Sequence, residues 1–357
     1  MGKYGFHVID ADGHGGEYAG WQDTIPEKLK PKLAAYRQKI KEHYGRLPLP
    51  GGGQSRPGDK FDVRPGMNDP KKRLEDMDLE GIDVTLTFPG GAGEEWAMLD
   101  PEFANALCQA LNNSKAAFSK QCGGRVFGIG KLPMIDPQLA VKELRRVVTE
   151  LGLKGVATTQ HVREKNLDHP SFDVVWAEAE KLGVPVCVHG GGQAPDQYPV
   201  CVDRFNTRLE VHAITHPVGN MIAIDSFCVG GILHRFPKLK VCFLESMCGW
   251  LPFWLDRLDE HWEKMPEQAP NIDRKPSEYF NQGRAWISCD PDERMIPEIV
   301  KLCGDDKIIY ASDYYHWDCA FPNTVKLIAE RTDISDATKK RILGENAARM
   351  YPLVGHA

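Results

Sequence analysis

Asp12 and His14 near the start of the chain, His189 in the middle and Asp313 near the end each stand where a short apolar run stops. Two imidazoles and two carboxylates make the donor set of a divalent metal site, suited to zinc, manganese or iron better than to calcium or magnesium. The first run reads Phe6-His7-Val8-Ile9-Asp10-Ala11-Asp12-Gly13-His14. Side chains alternate along a strand, so Asp10, Asp12 and His14 are expected on one face, where two of them can grip one ion. Val184-Pro185-Val186-Cys187-Val188-His189 ends on a histidine followed by Gly190, Gly191 and Gly192, and Ile308-Ile309-Tyr310-Ala311-Ser312-Asp313 ends on a carboxylate.

Residues so far apart in sequence need a scaffold that gathers strand ends. Apolar, β-branched runs predict strands over 8–12, 84–88, 126–132, 155–159, 184–189, 241–245, 285–288 and 308–312. Between them, helical patterns cover 70–80, 101–121, 137–151, 172–182, 206–236, 251–264, 294–302 and 335–350. Alternation of this kind predicts a parallel sheet with helices outside it, and eight repeats predict an α/β (β/α)8 TIM barrel, whose chemistry sits at the carboxyl ends of the strands. Residues 1–357 then form one barrel, and 15–68 is too long for a plain βα loop. With its turn-rich Gly51-Gly52-Gly53-Gln54-Ser55-Arg56-Pro57-Gly58 stretch, it is a candidate insertion or lid over the mouth.

Composition narrows the class. Of 357 residues, 42% are hydrophobic and 26% charged, which fits a globular chain and neither a disordered nor a fibrous one. Net charge is -6 with scattered Lys and Arg, so nucleic acid is not an expected partner. Ten cysteines without a C-x-x-C pair, no secretory leader and no run of membrane-spanning length point to a reduced, cytoplasmic protein without a membrane partner.

The chain resembles the aminocarboxymuconate semialdehyde decarboxylase-like branch of the amidohydrolase superfamily over nearly its full length. The resemblance rests on Ile9-Asp10-Ala11-Asp12-Gly13-His14, on Leu167-Asp168-His169-Pro170 leading through Trp176-Ala177-Glu178-Ala179-Glu180 to Val188-His189, on Phe236-Pro237-Lys238-Leu239-Lys240-Val241-Cys242-Phe243, and on Tyr310-Ala311-Ser312-Asp313-Tyr314-Tyr315-His316-Trp317-Asp318. It implies a barrel holding one divalent metal, zinc foremost with manganese or iron as alternatives, in an enzyme that decarboxylates aromatic or muconate-type acids, hydrolyses lactones or hydrates. It places Asp12 and His14 at the paired ligands of strand one, His189 at the ligand of strand five and Asp313 at that of strand eight. Two positions differ from the family pattern. Asp12 stands where the first histidine of an H-x-H pair is usual, and Glu245 stands where related decarboxylases carry a histidine beside the metal water.

On this reading Asp313 shuttles a proton, Glu245 serves as a second acid or base, and His316 orients substrate or bonds to a ligand. Because a carboxylate at 245 cannot anchor a substrate carboxylate, hydrolysis of a small aromatic or carboxylated compound by metal-activated water is the first expectation. Non-oxidative decarboxylation is the alternative, and a metal-free binding barrel is a further one. Each residue also has a plainer role open to it: an aspartate at a strand end caps turns and helices, and Asp318 reads as structural. His212 and His216, four apart, share a helix face that could meet the mouth, without the Glu of the metalloprotease motif. Lys154 begins its strand rather than closing it, so a metal-bridging lysine is not expected and the site reads as mononuclear. Trp250, Trp254 and Trp262 read as core or as an interface, and a homodimer through 251–262 is compatible with them.

Overall fold

The computed structural model describes residues 2–44, 64–89, 100–190, 204–205 and 207–353. The Gly51 to Gly58 stretch, Gly191, Gly192, Cys201, Asn206 and the last four residues lie outside these. Eight parallel strands form the sheet: β1 (Ile9–His14), β2 (Val84–Phe88), β3 (Val126–Gly128, resumed after Ile129 as Gly130–Lys131), β4 (Val156–Thr158), β5 (Val186–Val188), β6 (Val241–Phe243), β7 (Ala285–Cys289) and β8 (Ile308–Tyr310). Neighbours pair in sequence order with matched starts, as at Ile9 with Val84, Val156 with Val186 and Val241 with Ala285. The ring closes where the amide of Asp313 donates to the carbonyl of Asp12 (2.9 Å) and the amide of His14 donates to the carbonyl of Tyr314. The expected (β/α)8 barrel is the observed fold.

Alternation divides the strand side chains between two cores. Ile9, Ala11, Leu86, Ile129, Ala157, Cys187, Cys242, Leu244, Trp286 and Ile309 fill the interior, stopped at the amino end by Met350, Tyr351 and Leu353. Val126, Val156, Val186, Val241, Ile287 and Ile308 face outward onto the helices. Cys187 and Cys242, partners in register, are small apolar fillers of the inner layer, as expected. Three crossover helices begin with Asp-Pro: the Asp69, Asp100 and Asp136 carboxylates accept from amides of the first turn, and each following proline occupies a position that has no helical amide to lose.

Helix bounds depart from expectation at several places. The run expected over 206–236 is two helices, Arg208–Cys228 and Ile232–Arg235, split at Gly230-Gly231, where Gly231 adopts φ 79°. Residues 335–350 contain a π-turn, Arg341–Glu345, inside the helical run. Lys30–Tyr44 and Thr324–Ala329 are helices that their weak apolar periodicity concealed. In the 15–68 insertion, Ile25, Leu29, Leu33 and Tyr36 pack on Phe103, Ala104 and Leu107 of helix Pro101–Gln121. The chain returns at Arg64, whose guanidinium grips Asp76 (2.8 and 2.6 Å) and lies 4.5 Å over the Phe321 ring. No helix among the described residues is long and apolar enough to cross a membrane.

Candidate metal centre

At the carboxyl end of the barrel the four expected residues meet. His14 Nε2 lies 3.0 Å from Asp313 Oδ1 and 3.8 Å from Asp12 Oδ1, and His189 Nε2 lies 3.5 Å from Asp12 Oδ1. All four of these atoms are buried, and none is satisfied by a hydrogen bond of good geometry. Burying unpaired imidazole and carboxylate atoms is costly, so atoms of this kind aimed at one another are what a divalent cation would satisfy. The donor chemistry fits such an ion.

Strand parity explains one of the four: Cys187 points inward, so His189, two residues on, does too. Asp12 arrives differently: the pairing of β1 with β2 slips between Asp10 and Gly13, a bulge that brings Asp12 and His14 to the mouth and leaves Asp10 behind. The expectation that Asp10 shares their face is therefore wrong. Its carboxylate accepts from Thr85 Oγ1 (2.7 Å), Ser312 N (2.9 Å) and Ser312 Oγ (2.8 Å) instead. Asp313 and Glu245 both sit in the left-handed region, at φ 50° and 56°. For a glutamate this backbone is strained, and it turns toward the mouth a side chain that parity, counted from inward Leu244, would send outward.

Glu245 lies among three imidazoles rather than facing an open position. Its Oε2 is 3.3 Å from His189 Nδ1 and 3.7 Å from His216 Nε2, and its Oε1 is 3.5 Å from His316 Nδ1. His189 Nδ1 also donates to the carbonyl of Gly190 (2.6 Å), which turns Nε2 toward the centre, where it could ligate an ion on losing its proton. The Gly190 position is tight: a Cβ there would lie 2.3 Å from His216 Cδ2. The rings of His316 and His14 stack at 3.8 Å, and His316 Nδ1 is 2.6 Å from Asp313 Oδ1.

The charges follow from this packing. Burial pushes Asp12 up to about 7 against the pull of His189. Burial, helped by His316, takes His14 down to about 4, leaving a neutral ring. His189 rises to about 9 because Asp12 and Glu245 outweigh its burial. Burial opposes the charges of Asp313 and His316 as well, yet their pairing holds the carboxyl at about 2 and lifts the imidazole well above its ordinary value, so His316 carries a proton at neutral pH.

Of the remaining candidates, His212 and His216 do share a face and bring it against Glu245, and Asp318 comes within 3.8 Å of His212. The Lys154 ammonium lies over the Phe127 ring, away from the centre. Trp250 and Trp254 pack on the core and donate to the carbonyls of Ser246 and Met221. One residue was overlooked: Asp290, just past the end of β7, is pushed up to about 8 by burial and by Glu293 and Asp313. A carboxylate leaving an apolar run, the signal that singled out Glu245, was present there too.

Residues 6–353 match the amidohydrolase family. The chain belongs to that family. It is 32% identical over 290 residues to 2-amino-3-carboxymuconate-6-semialdehyde decarboxylase of Dictyostelium discoideum, covering 80% of this chain and 77% of the relative, which places it in the branch its motifs resemble. It is 25% identical over 301 residues to gamma-resorcylate decarboxylase of a Rhizobium species, covering 79% and 87%. Its fold matches 5-carboxyvanillate decarboxylase of Novosphingobium aromaticivorans, solved with bound manganese and a nitrobenzoic acid, with TM-score 0.76, 20% identity and 98% and 97% of the two chains covered. The protein is an enzyme of the metal-dependent hydrolase or carboxy-lyase kind, and its relatives are named decarboxylases of aromatic or muconate-type acids.

Proposed function

We propose that this enzyme is a non-oxidative decarboxylase of a small aromatic or muconate-type acid, and that Asp12, His14, His189 and Asp313 hold its divalent metal, with zinc first and manganese or iron as alternatives. The observation that carries the metal assignment is the convergence of four buried donor atoms, two imidazole nitrogens and two carboxylate oxygens. When bound, the ion would hold the substrate carboxylate and an adjacent oxygen and draw off developing negative charge.

The chain's own residues supply the proton. His316 holds one on Nδ1, which lies 2.6 Å from Asp313 Oδ1 and 3.5 Å from Glu245 Oε1. Asp313 relays it to the ring carbon that bears the carboxylate. The bond to the carboxylate carbon then breaks, its electron pair returns to the ring, and carbon dioxide leaves. A proton held against Asp313 suits decarboxylation, where carbon must be protonated. The order of the two readings is reversed from the sequence expectation, which put hydrolysis first on the strength of Glu245, because the relatives are named decarboxylases. That carboxylate is engaged by His189, His216 and His316, so its presence does not argue for an added hydrolytic base.

The test is carbon dioxide release by zinc-loaded and manganese-loaded protein from gamma-resorcylate, 5-carboxyvanillate and 2-amino-3-carboxymuconate-6-semialdehyde, beside hydrolysis of aromatic lactones. Release from at least one acid is expected. Lactone turnover without carbon dioxide from any acid would reject the reading.

A further inference from the structure

A second cluster of donor atoms adjoins the first. His212 and His216 stand one turn apart on helix Arg208–Cys228, with ring centroids 4.5 Å apart. His216 Nδ1 is 3.2 Å from the carbonyl oxygen of His212. A carbonyl only accepts, so Nδ1 carries a hydrogen. Nε2 faces Glu245 Oε2 at 3.7 Å, too far to share a hydrogen bond. His212 Nε2 meets Asp318 Oδ2 at 3.8 Å, again beyond hydrogen-bond reach. One donor atom each from His212, His216 and Glu245 fall within 4.8 Å of one another.

We propose that His212, His216 and Glu245, with Asp318 as a fourth ligand, form a second divalent-cation site that takes zinc. Histidines at i and i+4 present two nitrogens on one helix face, and a carboxylate from the end of β6 closes the set, a composition that suits zinc. Glu245 joins this site to the first, since the same Oε2 also meets His189 Nδ1. The close approach at Gly190 belongs to the same arrangement: only a residue without a side chain lets the chain pass while His216 reaches Glu245. The ligand geometry stands independently of the decarboxylase reading.

The experiment is metal stoichiometry on the full chain, stripped with chelator and reloaded with zinc, together with cobalt(II) titration followed by visible absorption. Wild type should bind two equivalents, H212A/H216A one, H189A one, and the triple variant H189A/H212A/H216A none. The visible band of the second cobalt equivalent should be missing in H212A/H216A. Saturation of wild type at one equivalent, or two equivalents retained in H212A/H216A, would overturn the second site. A single equivalent lost in H189A but kept in H212A/H216A would do so while leaving the first centre and the decarboxylase reading intact. Should the double variant fail to fold by circular dichroism, H216Q alone decides: it should lose the second equivalent, and keeping it overturns the site.

Discussion

Gly190→Ala isolates the packing that aims His189. The new Cβ would lie 2.3 Å from His216 Cδ2 and 3.2 Å from Glu245 Oε2, a shortfall of about 1.2 Å against an ordinary carbon contact of about 3.5 Å. His216 cannot retreat cheaply, because its ring is bonded to the carbonyl of His212 and its own carbonyl accepts from Gln160 Nε2 at 2.9 Å. The backbone at 190 must therefore move. Alanine in an unstrained conformation would gain about 0.4–1 kcal/mol by restricting the unfolded chain, whereas overpacking of this kind costs about 1–3 kcal/mol. The clash should win, with a net loss on the order of 1–2 kcal/mol. The same displacement shifts the carbonyl that turns His189 Nε2 toward the centre, and loss of such an outer contact lowers metal affinity about 10–100-fold. Urea unfolding of chelator-treated protein reads the first effect, and a competitive zinc titration with a chromophoric chelator reads the second. Unchanged stability together with unchanged zinc affinity would refute the claim that Gly190 is required by close approach.

Three further outcomes follow from the geometry. Asp313→Asn should keep the fold but lower carbon dioxide release about 10²–10⁴-fold, the usual worth of a positioned acid; near-wild-type turnover would remove Asp313 from the proton path. Metal-free protein should lose stability as pH rises from about 6.5 to 9. His189, at about 9 when folded against 6.5 when free, binds more proton folded than unfolded across that window, and Asp290, held near 8, acts in the same direction. Thermal unfolding in chelator across this range checks the slope, which a rising stability would contradict. Lys115→Met should destabilise by about 3–5 kcal/mol, because the fully buried ammonium lies 3.0 Å from Glu17 and donates to the carbonyls of Gly15 (2.6 Å), Thr87 (3.2 Å) and Phe88 (2.9 Å), tying the ends of β1 and β2 to helix Pro101–Gln121; denaturant unfolding measures it, and a loss below about 1 kcal/mol would mean that Glu17 is solvated rather than left as a buried charge.

What could be read from the sequence follows where its periodicities hold. The apolar, β-branched runs located every barrel strand, and parity alone sends His189 inward from Cys187. Where the backbone leaves ideal geometry, parity fails. The bulge in β1 separates Asp10 from Asp12 and His14 although all three are two apart, and the left-handed turn at Glu245 reverses the direction expected after Leu244. Neither departure has a local residue signal, since a bulge is set by the partner strand and nothing in Leu244-Glu245-Ser246 calls for a positive φ. Side-chain company is harder still to read. Glu245 in sequence is a lone carboxylate leaving a strand, whose natural chemistry is that of a base; only the fold puts His189, His216 and His316 around it, from a strand end, a helix and the loop after β8. The same carboxylate is thereby changed from an argument for hydrolysis into a link between two clusters of imidazole. Charge type alone could not have determined the reaction, because the environment that sets a carboxylate's role is assembled from residues far along the chain on either side, His189 and His216 before it and His316 after it.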